Sequence, residues 1–188
     1  MNIDRMHVKE NFKAYVSDYD LSDVKVKLKV DHTYRVAAMC DAITEDLGLS
    51  AADRDLAWLS GMLHDIGRFE QLRQYHTFQD RLSCNHAMLS ADILFHDGKL
   101  RLFVDDAAED ELALLEKTIR LHNVYRLPEE LSVREYRFAT ILRDADKIDI
   151  LRVNCETPRS EIYDLPEDAF RTAPITDQVY DDVMHARN

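Results

Sequence analysis

Residues 49–69 read LSAADRDLAWLSGMLHDIGRF. Ser50 is a natural helix N-cap, with Asp53 three residues on. Leu56, Ala57, Leu59, Ser60, Met62, Leu63 and Ile66 then follow at helical intervals, and Gly67 marks the expected end. The helix is strongly apolar from Trp58 to Ile66, so it belongs inside a helical core. His64 and Asp65 sit side by side at the end of it. Two ionisable neighbours buried without partners cost several kcal/mol. A metal ion is an efficient partner. The alternative is a capping histidine beside a solvated aspartate.

Outward from this helix the pattern stays helical. The spacing predicts helices over 6–17, 23–47, 68–74, 85–96, 109–123, 132–151 and 177–186, with Gly48 closing the second and Pro128 separating two of the later ones. Only four Gly and four Pro occur in 188 residues, so hairpins and turn-rich sheets are disfavoured. With 46% hydrophobic residues the chain buries a real core. The expectation is one all-α domain, with no repeat, linker or low-complexity tract.

The formal charge of −12 makes a nucleic acid polymer or an anionic membrane an unfavourable main partner. A small phosphorylated substrate is compatible, because local charge in a pocket opposes the global sign. Three cysteines, an odd number without CxxC spacing, form no disulfide framework or zinc-thiolate site. The N-terminal residues MNIDRMHVKENF carry no signal-like apolar run. A cytoplasmic location is expected.

Other ionisable residues stand at apolar borders. His32 lies inside a long helix, flanked by Asp31 and Arg35. In LRDADKIDIL, Asp146 and Asp149 are three apart and share a helix face among Phe138, Ile141, Leu142, Ala145, Ile148, Ile150 and Leu151. Such aspartates are ligated or paired, with Lys147, Arg143 and Arg152 as the alternative partners. Asp149 is placed to orient a neighbouring ligand. His86 opens the 85–96 helix, and His122 ends the 109–123 helix. The second dipeptide, His96-Asp97, precedes Gly98 and reads as a surface turn. His7, His76 and His185 have no supporting context.

His32, then His64-Asp65, then Asp146, in that order across separate helices, resembles the H…HD…D set of the HD-domain superfamily of metal-dependent phosphohydrolases. MLHDIGR resembles the central motif of that family, DADKID its final aspartate helix, and NHAMLSADIL its intervening segment. The likeness covers about residues 25–155. It implies a single-domain helical bundle with that core and a C-terminal extension over 156–188.

Carried over by position, the resemblance implies that His32, His64, Asp65 and Asp146 ligate one metal. His86 and His122 match the two histidines that two-metal members add, with Asp65 bridging. The ions implied are divalent transition metals (Mn, Fe, Co, Ni or Zn), one or two in number. Asp65, Arg68 and Lys147 are the expected catalytic residues. Arg68, about one turn after His64, is placed to grip a phosphate. The implied activity is hydrolysis of a phosphate ester of a small molecule, possibly a nucleotide, by metal-activated water. The GYP motif of the cyclic-dinucleotide branch is absent, which argues against that substrate. A di-iron oxygenase of HD type would use the same ligands. A non-catalytic nucleotide-binding HD module would usually lack some of them.

Overall fold

A computed structural model describes residues 3–158, 160, 162 and 167–186. Among them the chain is all-α. Helices α1 (Arg5–Val16), α2 (Val24–Asp46), α3 (Ala51–Leu63), α4 (Ile66–Tyr75), α5 (His86–Ala91), α6 (Glu109–Arg120) and α7 (Val133–Glu156) build the body. Two short helices follow, α8 (Glu167–Thr172) and α9 (Asp177–Met184). The expected extension over 156–188 lies partly outside the described residues.

The caps expected at Ser50 and Gly48 are formed. Ser50 Oγ accepts the Asp53 amide at 3.1 Å. Gly48 closes α2 with φ +66°, the left-handed conformation that favours glycine. Helix α2 packs across α3 and α7. Phe12 of α1 meets Tyr34 and Phe69 edge-on, with ring centroids at 5.5 and 5.9 Å.

Three sequence expectations change. The helix through 49–67 does not reach Gly67: α3 stops at Leu63, and α4 starts at Ile66 rather than residue 68. The chain turns at Asp65, whose backbone lies at φ −105° and ψ 17°. Apolar periodicity runs through this break, because Leu63 and Ile66 are both buried. Gly67 is therefore no C-cap. It lets α4 approach α5: a Cβ there would lie 2.6 Å from the Ser90 nitrogen.

The segment 85–96 is α-helical only to Ala91 and continues as a π-helical turn, Asp92–His96. Lastly, only part of the apolar set around Asp146 and Asp149 on α7 is buried. Phe138, Ile141, Leu142 and Ala145 are buried, whereas Ile148, Ile150 and Leu151 are exposed. The helix runs on to Glu156, and one face of it serves the interior. Asp146 and Asp149 lie on that face, while Asp144 points to solvent.

Candidate metal centre

Burial brings the expected ligands to one place. His32 comes from the middle of α2, His64 and Asp65 from the α3–α4 turn, His86 from the first residue of α5, His122 from just past α6, and Asp146 from α7. All six are nearly inaccessible to solvent. The ligand atoms of His32, His64 and Asp146 lie within 4.8 Å of one another, and so do those of His64, Asp65 and His122.

Asp65 stands in the middle. Its Oδ2 is 3.6 Å from the Nε2 atoms of both His32 and His64. Its Oδ1 is 3.6 Å from His122 Nε2 and 3.8 Å from His86 Nε2. Asp146 Oδ1 closes the first half at 3.1 Å from His32 Nε2 and 3.7 Å from His64 Nε2.

Each imidazole is held from behind by the same device. His64 Nδ1 donates to the Gly61 carbonyl at 2.8 Å, and His122 Nδ1 donates to the Ile119 carbonyl at 2.7 Å. His32 Nδ1 donates to Asp149 Oδ2, and His86 Nδ1 to Asp80 Oδ2, both at 2.6 Å. A carbonyl or carboxylate oxygen only accepts, so every Nδ1 carries the proton. A neutral ring held in this way turns its Nε2 lone pair inward.

The centre is thus a set of acceptors with few donors. His32 Nε2, His64 Nε2 and Asp65 Oδ1 are buried without a hydrogen-bond partner. His86 Nε2 and His122 Nε2 face each other at 3.1 Å, lone pair against lone pair. Buried acceptors left in this state are costly. A divalent cation resolves all of these contacts at once. Four imidazoles and two carboxylates, with no thiolate, suit Mn, Fe, Co, Ni or Zn.

Charge states agree with this reading. Burial pushes His86 down to about 4, against the raising effect of its hydrogen bond with Asp80. Its Nε2 is therefore free of a proton near neutral pH. Burial opposes ionisation of Asp65, but the cationic Lys29, and after it Arg68, help hold the carboxyl well below its ordinary range. Asp149 is held down to about 2; burial is again outweighed by His32 and by Arg35, whose Nε donates to it at 2.5 Å.

Two charged residues that the sequence reading passed over flank the cluster. Lys29 Nζ donates to Asp65 Oδ2 at 2.7 Å. A carboxylate oxygen has a second lone pair, so this contact leaves room for a cation. Lys29 precedes His32 by three residues, hence the shared face, but it belongs to the run Lys25, Lys27, Lys29 that looks like a solvated surface. Asp80 lies in a polar loop with no pattern to mark it. It accepts from His86, from Arg68 Nη1 at 3.0 Å and from Gln71 Nε2 at 3.1 Å.

Arg68 lies against Asp65, Nε to Oδ1 at 3.7 Å, and its Nη1 also donates to the Phe78 carbonyl at 2.7 Å. Lys147 is the expected residue that the fold keeps apart. It is exposed, and its Nζ rests on the Arg143 carbonyl at 3.5 Å. Adjacent helical residues diverge by about 100°, so nearness to Asp146 in sequence does not carry Lys147 inward. Arg35 is committed to Asp149, and Arg143 donates to the Tyr125 carbonyl. His96 is exposed, with Nδ1 3.6 Å from Asp92 Oδ1, just before the turn at Gly98, and among the described residues it joins no group of three ligands.

Comparison with known proteins matches the chain to the family model described as HD domain, over residues 30–151. No curated protein and no solved structure matches the chain. Among the described residues no helix is long and apolar enough to cross a membrane.

Proposed function

This chain belongs to the HD-domain family, and on that premise we propose that it is a metal-dependent phosphohydrolase acting on a small phosphorylated substrate. The observation that carries the reading is the inward convergence of four Nε2 lone pairs on Asp65, with each Nδ1 proton tied to a fixed acceptor. His32, His64, Asp65 and Asp146 would hold one ion, and His86 and His122, on the other side of Asp65, could hold a second. When bound, such an ion supplies Lewis acidity and a hydroxide nucleophile near neutral pH.

The remaining work falls to the chain. Asp149 and Asp80 fix the rings of His32 and His86. The carbonyls of Gly61 and Ile119 do the same for His64 and His122. Lys29 and Arg68 place two positive charges at the edge of the cluster, where charge on phosphoryl oxygens would build up. Arg68 Nε–H is buried without a hydrogen-bond partner, which suits it to take a phosphoryl oxygen. Lys147 has no contact that supports the same role.

The test is metal content and phosphate release measured together. Protein purified without chelator and supplied with Mn²⁺, Co²⁺ or Ni²⁺ is expected to release phosphate from aryl phosphates. His64→Ala and Asp146→Ala are expected to lose the metal and to lower kcat/KM by 10²-fold or more, roughly the scale of removing a main electrostatic group. Unchanged metal content in both variants would end the metal reading. Oxygen consumption without phosphate release would replace hydrolysis by oxygenation.

A further inference from the structure

Beside the cluster lies a pocket of about 170 Å³ lined by His32, Lys29, Arg68, Phe78, Ile150 and Val153 among others. Lys29 and Arg68 are its cations, and both reach Asp65. Its charged side is therefore the side of the metal centre. Phe78 continues the wall: Lys29 Nζ stands 5.5 Å from the ring centroid and the Arg68 guanidinium 5.6 Å. Leu28, Ile150, Val153 and Ile162 supply aliphatic walls, and Gln79 and Asn154 are, with His32, the uncharged polar residues of the lining.

Size, charge and polarity each restrict what enters. Pockets for drug-sized ligands run to roughly 300–1,000 Å³, so this one takes less. The two cations are already paired with carboxylates, Lys29 with Asp65 and Arg68 with Asp80. They suit one phosphoryl group, and among the described residues no further Lys or Arg lines the pocket to meet a second or third. The aliphatic and aromatic walls favour an apolar group over a polyhydroxylated one, which, among the described residues, would meet uncharged polar side chains only at His32, Gln79 and Asn154.

We infer that the substrate is a phosphate monoester of a compact, mainly apolar alcohol, of about the size of a single six-membered ring, and not a nucleoside polyphosphate. The inference rests on the phosphohydrolase reading of the adjoining centre. In the reaction, water oxygen bonds to phosphorus, the ester P–O bond breaks, and the leaving oxygen takes up a proton. Inorganic phosphate and the alcohol are released.

The experiment compares benzyl phosphate, glycerol 2-phosphate and ATP on the full chain with Mn²⁺, alongside calorimetric titration of benzylphosphonate. Benzyl phosphate is expected to exceed both others in kcat/KM by about tenfold or more, the scale on which an apolar pocket discriminates. Ile150→Asn, at a partly exposed position, and Phe78→Ala are expected to weaken benzylphosphonate binding and to erase that preference. Glycerol 2-phosphate or ATP turned over as well as benzyl phosphate would overturn the substrate class and leave hydrolysis standing. Metal-loaded protein that releases phosphate from none of the three, yet binds the phosphonate, would overturn the hydrolytic reading itself.

Discussion

Asp149 never reaches the middle of the cluster, yet it decides which nitrogen of His32 faces inward. It takes the Nδ1 proton on one oxygen, and Arg35 braces both of its oxygens. Asp149→Asn keeps the shape but removes the charge and offers a donor where an acceptor is needed. Metal affinity is expected to fall about 10–100-fold, as for other outer partners of ligating histidines, measured by competition with a chelating dye. Asp80→Asn is expected to do the same through His86. Affinity unchanged in both would mean that the rings are oriented by packing alone. At this scale the sequence is informative where an ionisable residue interrupts an apolar face, as His32, His64, Asp146 and Asp149 do. It is silent where the residue sits in company that explains it away, as with Lys29 among lysines and Asp80 in a polar loop. It misleads where chain adjacency stands in for spatial adjacency, as with Lys147.

Between α3 and α4 the chain makes the turn that delivers His64 and Asp65 in different directions. Hydrophobic periodicity could not reveal it, since the turn buries the same residues a continuous helix would. What holds α4 in place is its approach to α5 at Gly67, whose amide donates to Ser90 Oγ at 3.0 Å. Gly67→Ala must move that backbone contact, so a loss of about 1–3 kcal/mol is expected, read from chemical denaturation, with weakened metal binding because His86 starts α5. Helix α7 was more legible. Ser132 and Glu135 form a capping box, and Glu135 also pairs with Lys117 of α6. The Lys117 hydrogen bond and the Ser132 amide hold Glu135 down to about 2 from an ordinary value of 4.5. Above pH 4.5 both folded and unfolded chains carry the charge, and the contribution is complete. Between 4.5 and 2 the unfolded chain binds the proton first, so this stability drains away as pH falls. Wild type is therefore expected to lose its margin over Glu135→Gln across that window in thermal melts. A margin that stays constant with pH would show that the ion pair contributes nothing.

Across the whole molecule the cluster joins parts of the chain more than a hundred residues apart, from His32 on α2 to Asp146 on α7. The all-α class could be read from periodicity and the scarcity of Gly and Pro, and the order of the ligands from the likeness to a family. The convergence itself depends on how α2 crosses α3 and α7, which no local pattern encodes. That convergence makes the protein hold its own acceptors against one another. The 3.1 Å contact between His86 Nε2 and His122 Nε2, and the orphaned atoms of His32, His64 and Asp65, all oppose folding until a cation is present. Binding that needs the folded arrangement stabilises it by linkage, about 2.7 kcal/mol when free metal is a hundred times Kd. In a domain of this length each kcal/mol moves Tm by about 2–4 °C. Saturating Mn²⁺ is thus expected to raise Tm by roughly 5–11 °C over chelator-treated protein. His86→Phe removes one of the two opposed lone pairs and fills the space with carbon. It is expected to narrow the gap mainly by raising the metal-free Tm. If wild type melts at one temperature with and without metal, the acceptors are satisfied by other means and the centre is not a metal site.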